Sequence, residues 1–129
     1  MSRTSKSTAK RVKNGRSRPR ATFTISTHVL DTETGLPAAN VPVTLYRLDV
    51  GERPARMTQA MTDGDGRVRD LLGRPLLPGT YRLEMDVARG RERPFFTRFA
   101  VDFEVRDTGR SYHIPLLLAP YGMTTYRGS

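Results

Sequence analysis

Two histidines and one arginine are the residues of this sequence best suited to chemistry in water. His28 and His113 each lie in an alternating apolar stretch, and Arg67 follows the turn sequence DGDG. An imidazole titrates near neutral pH, so it can take a proton from water or return one. A guanidinium offers a fork of N–H donors to a planar anion or a urea-like carbonyl. Each residue alone is more often simply solvated, so the elements that carry them decide whether they act together.

Other kinds of reactive site are excluded by composition. The chain has 129 residues and no cysteine, which excludes disulfides, thiolate nucleophiles and sulfur-ligated metals. With two histidines and no HExxH spacing, we predict no metal site. The sequence also contains no GxSxG motif and no Gly-rich phosphate loop.

The net charge of +9 is concentrated at one end of the chain. Eight of the 22 Lys and Arg residues lie in residues 1–20, which contain no acid, whereas the other 14 nearly balance the 13 acids. We predict that residues 1–20 form a disordered basic tail and residues 21–129 one nearly neutral domain. A solubilising role for the tail is favoured over a targeting peptide or a polyanion contact. We therefore expect no nucleic-acid binding by the domain.

The sequence shows neither a long apolar span nor the apolar core of a secretory signal. We expect a soluble cytoplasmic protein without a membrane partner.

Apolar residues after Ala21 alternate with a period of two, which is typical of strands with one buried face. In TFTISTHVL this pattern predicts that Phe23, Ile25 and Val29 point inward and His28 outward. The same reasoning assigns inward positions to alternate residues of two later strands: Tyr81, Leu83, Met85 and Val87, then Phe99, Val101, Phe103 and Val105.

Short strands separated by Gly, Pro and Asp turns predict an all-β fold, an antiparallel β-sandwich. If Tyr112 and Ile114 pack inward, His113 faces outward with Ser111, and Arg67 faces outward beside an inward Val68. The C-terminal sequence PYGMTTYRGS has two tyrosines and one arginine, and two readings of it remain open: a packed segment or a mobile end.

The sequence resembles the 5-hydroxyisourate hydrolases, the transthyretin-related enzymes of urate breakdown in purine metabolism. The resemblance extends from about Thr24 to Ser129. The segments that carry it are STHVLDTETGLPAANVPVTLYRLD, TDGDGRVRDLL, LLPGTYRLEMD, FEVRD, YHIPLLLAPYG and the terminal YRGS. It implies a transthyretin-like, or prealbumin-like, sandwich that assembles as a homotetramer, a dimer of dimers, with active sites between dimers. It implies neither a metal nor an organic cofactor.

The implied substrate is 5-hydroxyisourate, whose six-membered ring is opened by hydrolysis of a C–N amide bond to 2-oxo-4-hydroxy-4-carboxy-5-ureidoimidazoline. By this resemblance His28 and His113 activate water and move protons, in an order left open, and Arg67 holds the ring and the developing negative charge. Tyr126 contributes a hydroxyl to the substrate, and Arg127 and Ser129 complete the pocket.

The chain departs from the family pattern at two places. Ser111 stands where these enzymes often carry His, and the segment between Met85 and Phe96 is several residues short of the usual length, where the family has its one short helix. Whether that helix is retained is left open. The alternative function is a non-catalytic binding module of the prealbumin-like or carboxypeptidase-regulatory-like kind, which needs neither histidine nor the terminal YRGS.

Overall fold

The structure, a computed structural model, describes residues 23–129, so the predicted basic tail of residues 1–20 lies outside the described residues. The described chain forms nine strands: β1 (Ile25–Asp31), β2 (Leu36–Pro37), β3 (Pro42–Arg47), β4 (Ala55–Met61), β5 (Arg67–Val68), β6 (Gly79–Asp86), β7 (Arg98–Val105), β8 (Tyr112–Ala119) and β9 (Gly122–Thr125).

The strands form two sheets. One has the order β9-β8-β1-β2, with β5 paired to β1 beyond the end of β2, and the other has the order β4-β3-β6-β7. Buried side chains from both sheets form a single apolar cluster, including Ile25, Leu116, Leu45 and Leu83. Full burial of such a side chain stabilises the fold by roughly 1.5–3 kcal/mol. The predicted all-β sandwich is confirmed.

The predicted antiparallel pairing is wrong for one pair of strands. β1 and β8 run parallel, with Ile25 opposite Tyr112 and Thr27 opposite Ile114, while the other strand pairs are antiparallel. Parallel neighbours require a long connection. Here the segment of chain that connects β1 to β8 contains all the strands of the other sheet. Local alternation along β1 or β8 therefore carries no information about their relative direction.

The period-two assignments mostly agree with the burial of the side chains. Tyr81, Leu83, Met85 and Val87 are all buried. The pattern predicts an inward Phe23, and this is wrong: Phe23 is 41% exposed because it precedes the first residue of β1. On β7, Phe99 and Val105 are buried, whereas Val101 and Phe103 are only partly covered because β7 ends its sheet.

Within residues 23–129 the structure contains no helix. The segment between Met85 and Phe96, where the resemblance left a short helix open, leaves β6 through turns instead. No helix long and apolar enough to span a membrane occurs in the part of the chain that is described.

Candidate active site

His28 and Arg67 lie directly opposite each other. The short strand β5 pairs antiparallel with β1, and its register joins Arg67 to His28 and Val68 to Thr27. Val68 and Thr27 are buried, so the alternation of the two strands sends the imidazole and the guanidinium to the outer face. Both side chains are partly exposed there.

The DGDG turn fixes the position of Arg67. The Asp63 carboxylate accepts hydrogen bonds from the backbone N–H groups of Asp65 (2.9 Å) and Arg67 (3.0 Å). The bond from the Arg67 amide, helped by the other, holds the pKa of Asp63 below its usual value.

Gly66 connects this turn to β1. Its carbonyl accepts the Val29 N–H at 2.8 Å. Its φ of +75° lies in the left-handed region, and a Cβ there would stand 2.5 Å from the Val29 carbonyl oxygen. Only glycine fits this place, so the turn is held close against β1 and Arg67 is held opposite His28.

His113 reaches the same face from the other side of β1. The parallel register places His113 beside Ser26 and Pro115 beside His28, so the two histidines lie two positions apart along neighbouring strands. The Ser26 hydroxyl is hydrogen-bonded to Nδ1 of His113 at 2.9 Å. One strand, β1, therefore organises all three predicted residues.

The environment of His113 favours its neutral form. Partial burial lowers the pKa of His113 below its ordinary value, and its electrostatic interactions with Arg67 and with the His28 imidazole lower it further. A neutral imidazole has a free lone pair at neutral pH, which is the form that accepts a proton from water.

A shallow pocket of about 190 Å³ opens beside these residues, and we call it the histidine pocket. Its lining residues are Ser26, Thr27, Arg67, Val68, Arg69 and His113. His28 does not line it but lies next to it, opposite Arg67. A larger groove of about 600 Å³ lies elsewhere, beside Asp31 and Arg91, and neither histidine lines it.

The C-terminal segment returns along β8 to His113. β9 pairs antiparallel with β8, the Thr125 hydroxyl donates to the Pro115 carbonyl at 2.7 Å, and the Gly128 N–H donates to the His113 carbonyl at 2.8 Å. Of the two readings of PYGMTTYRGS, the packed segment is therefore the one observed.

Tyr126 and Arg127 line a different pocket from Arg67. This second pocket, which we call the edge pocket, has a volume of about 250 Å³ and is lined by Val101, Phe103, Glu104, Tyr112, His113, Ile114, Thr125, Tyr126 and Arg127. The Arg127 guanidinium lies 4.5 Å above the Tyr112 ring, in a cation–π contact. His113 borders both pockets, whereas the exposed Ser129 lines neither.

The sequence pattern did not identify two residues that contact His113. Ser26 shares the outer face of β1 with His28, but its contact depends on the register with a strand 87 residues away. Gly128 packs so closely that a Cβ would stand 2.5 Å from Cδ2 of His113. The sequence signal for Gly128 is its place within YRGS, between the candidate residues Arg127 and Ser129.

Among residues 23–129, no group of three His, Asp or Glu side chains is close enough to hold a metal ion.

Comparison with known proteins identifies the family. Residues 25–128 match the model of the HIUase/Transthyretin family. The 5-hydroxyisourate hydrolase of Caulobacter vibrioides is 41% identical over 113 residues, covering 81% of this chain and 97% of its own.

Solved structures agree with this match. The structure of Klebsiella pneumoniae 5-hydroxyisourate hydrolase matches with a TM-score of 0.73 and 36% identity, covering 83% of this chain and 99% of that one. Sea bream transthyretin in complex with thyroxine also gives a TM-score of 0.73, at 25% identity, and the match covers 81% of this chain and 93% of that one. The chain belongs to the HIUase/Transthyretin family.

Proposed function

We propose that this protein is an enzyme that hydrolyses 5-hydroxyisourate in urate breakdown. The observation that carries the proposal is the meeting of His28, Arg67 and His113 on the outer face around β1. The activity named for the Caulobacter and Klebsiella relatives supports the choice of substrate.

The chemistry assigns a separate task to each group. Neutral His113 takes a proton from water as the water oxygen bonds to the ring carbonyl carbon. Arg67 donates hydrogen bonds to the oxygen on which negative charge develops. The C–N bond then breaks, the protonated imidazole returns its proton to the departing nitrogen, and a carboxyl group is left on the carbon. His28, opposite Arg67, binds the substrate and takes part in this proton transfer.

The C-terminal residues have a supporting place in this proposal. Tyr126, 55% exposed, offers a hydroxyl to the substrate from the far side of His113. Arg127 lines the pocket on that side, and we propose that Ser129, which lines neither pocket in one protomer, completes the assembled site.

We also propose that the enzyme is a homotetramer, a dimer of dimers. The histidine pocket is shallow and open in one protomer, whereas hydrolysis benefits from a desolvated site, so a second copy supplies the missing wall. β7 and β9 end their respective sheets and together line the edge pocket, which offers two neighbouring edges to a second copy. Tyr121, 80% exposed, and Leu36, 63% exposed, add apolar surface for further contacts.

The experiment that tests the catalytic proposal follows the decay of freshly generated 5-hydroxyisourate by ultraviolet absorbance. Wild type is compared with His28→Ala, Arg67→Ala and a chain truncated after Thr125. Arg110→Ala, an exposed arginine in the turn before β8, is the matched control for Arg67. We expect strong loss of turnover in the three variants and none in the control, with the fold retained in each.

Two results would count against these proposals. Equal decay rates with all proteins, or no acceleration by the wild type, would favour a non-catalytic binding module. A stable monomer by light scattering would contradict the shared site.

A further inference from the structure

Ser26 is the side chain that hydrogen-bonds the imidazole ring of His113, and the proposed reaction gives it no task. Its hydroxyl oxygen lies 2.9 Å from Nδ1, and the parallel register of β1 and β8 places the two residues side by side. Both strands are anchored from below by buried Thr27, whose hydroxyl donates to the Ile114 carbonyl at 2.6 Å. The contact therefore joins two rigid elements and no flexible loop takes part in it.

The opposite edge of the imidazole is also occupied. The Gly128 backbone packs against the Cδ2 edge, where an added Cβ would stand 2.5 Å from that atom, and it donates to the His113 carbonyl. With Nδ1 on Ser26 and Cδ2 against Gly128, the ring is held in one orientation. In residues 23–129, Nε2 has no hydrogen-bonding partner.

We propose that Ser26 is a positioning residue that accepts the Nδ1–H of His113 and thereby fixes the tautomer with a lone pair on Nε2. This inference rests on the proposed function, in which His113 takes a proton from water. A neutral imidazole carries its single hydrogen on one nitrogen or the other, and the partner of one nitrogen decides the state of the other.

The proton balance involves no transfer to serine. Nε2 gains the proton from water, and the imidazolium keeps its Nδ1–H on Ser26 throughout. The same Nε2 proton is then given to the departing nitrogen, which restores the starting tautomer. Without the serine oxygen, part of the population carries hydrogen on Nε2, and that form cannot accept a proton from water there.

The first test is nuclear magnetic resonance of the histidine ring nitrogens at a pH where His113 is neutral, using the full chain without substrate. We expect a protonated Nδ1 and a bare Nε2 in the wild type, and a mixture of tautomers in Ser26→Ala. We also expect a lower pKa for His113 in Ser26→Ala, because a hydrogen bond to the imidazolium is stronger than one to the neutral ring. A hydrogen on Nε2 in the wild type would overturn the proposal.

The second test is kinetic. We expect Ser26→Ala to lower kcat by about 10- to 100-fold with little change in KM, which is the size of loss typical when the hydrogen-bonding partner of a metal-binding histidine is removed. Ser26→Thr keeps the hydroxyl and should recover most of the rate. Thr44→Ala, which removes a hydroxyl from a half-buried position on β3, is the control and should behave as wild type.

The two tests separate this proposal from the proposed function. An unchanged kcat in Ser26→Ala would overturn the role of Ser26 even if the enzyme is active. If the wild type does not hydrolyse 5-hydroxyisourate, the proposed function fails, and the ring-nitrogen measurement still decides whether Ser26 sets the tautomer.

Discussion

Arg67 and the arginines on the outer face of the other sheet differ in their partners. On the sheet that contains β6 and β7, Arg82 pairs across the strands with Asp102 at 2.6 Å, and Arg98 lies 3.8 Å from Glu84. On the sheet that contains β1 and β8, Arg67 makes no salt bridge with any residue of the described chain and lies opposite an imidazole.

The difference lies in what remains available to a ligand. Where a carboxylate pairs with the guanidinium, the N–H donors of the arginine are already used, so they are not available to bind a ligand. Where the guanidinium has no salt-bridge partner, as at Arg67, its charge adds to partial burial in lowering the pKa of His113, which favours the neutral imidazole. A cationic face with an unprotonated base can bind an anion and activate water on it.

The largest effect is expected when the proposed base is removed. We expect His113→Ala to reduce turnover by about 10²- to 10⁴-fold, the usual contribution of general acid–base catalysis. The measurement is the initial rate of 5-hydroxyisourate decay, at a protein concentration at which the wild-type rate clearly exceeds the rate of uncatalysed hydrolysis. Thermal unfolding should change little because the side chain is half exposed. A rate within twofold of wild type would show that His113 does not transfer the proton in this reaction.

A smaller effect is expected when the support of His113 is disturbed. Gly128→Ala places a methyl group 2.5 Å from Cδ2 of the ring, so either the ring or the segment after β9 must shift. We expect a loss in kcat of about 10-fold, since small displacements of catalytic groups are costly. Gly122→Ala is the control, because a Cβ there meets nothing within 4 Å. Equal rates for the two variants would mean that the contact with Gly128 does not position His113.

The lowered pKa of His113 also predicts how stability changes with pH. Because the folded state binds this proton less readily than the unfolded chain, whose histidine pKa is about 6.5, the unfolded state holds more protons in the window below that value. The free energy of unfolding therefore falls as pH decreases through about 6.5 toward the lower folded pKa, and it levels off below that. Urea unfolding at several pH values should show a shallower decline in His113→Gln. The same slope in both proteins would contradict the assignment to His113.

The smallest effect is expected on the other sheet. Arg82→Ala removes one partner of an exposed cross-strand pair, and such pairs contribute little to stability because water and salt screen them. We expect only a small change in the free energy of unfolding in urea titrations and an unchanged rate of 5-hydroxyisourate decay. A large loss of activity would mean that the two faces are not as independent as their charge patterns indicate.

How far the sequence predicts the structure depends on whether the determining contacts are local. The inward positions of Tyr81 and Leu83 follow from alternation along one strand, and both are fully buried. The same rule correctly turns His28 and Arg67 outward. It fails for Phe23, which precedes its strand, and for the exact burial of Phe103, which depends on β7 being the last strand of its sheet.

The remaining features of the site depend on long-range register. That His113 lies beside Ser26 follows from a parallel pairing between strands separated by the whole of the other sheet, and no local pattern encodes it. Likewise, the separation of Arg127 from Arg67 follows from the path of the segment after β9 and from its contact with the Tyr112 ring. The residue types therefore indicate what chemistry is possible at the site, whereas the strand topology determines which side chains lie beside His113.

The close backbone contact between Gly66 and Val29 limits how far the turn before Arg67 can move. A turn whose backbone is bonded to Val29, with no room for even a methyl group, cannot swing aside and close again as a lid does. Arg67 and His28 are thus preformed for their ligand, and a molecule that reaches this face meets both groups without a closing movement of the turn.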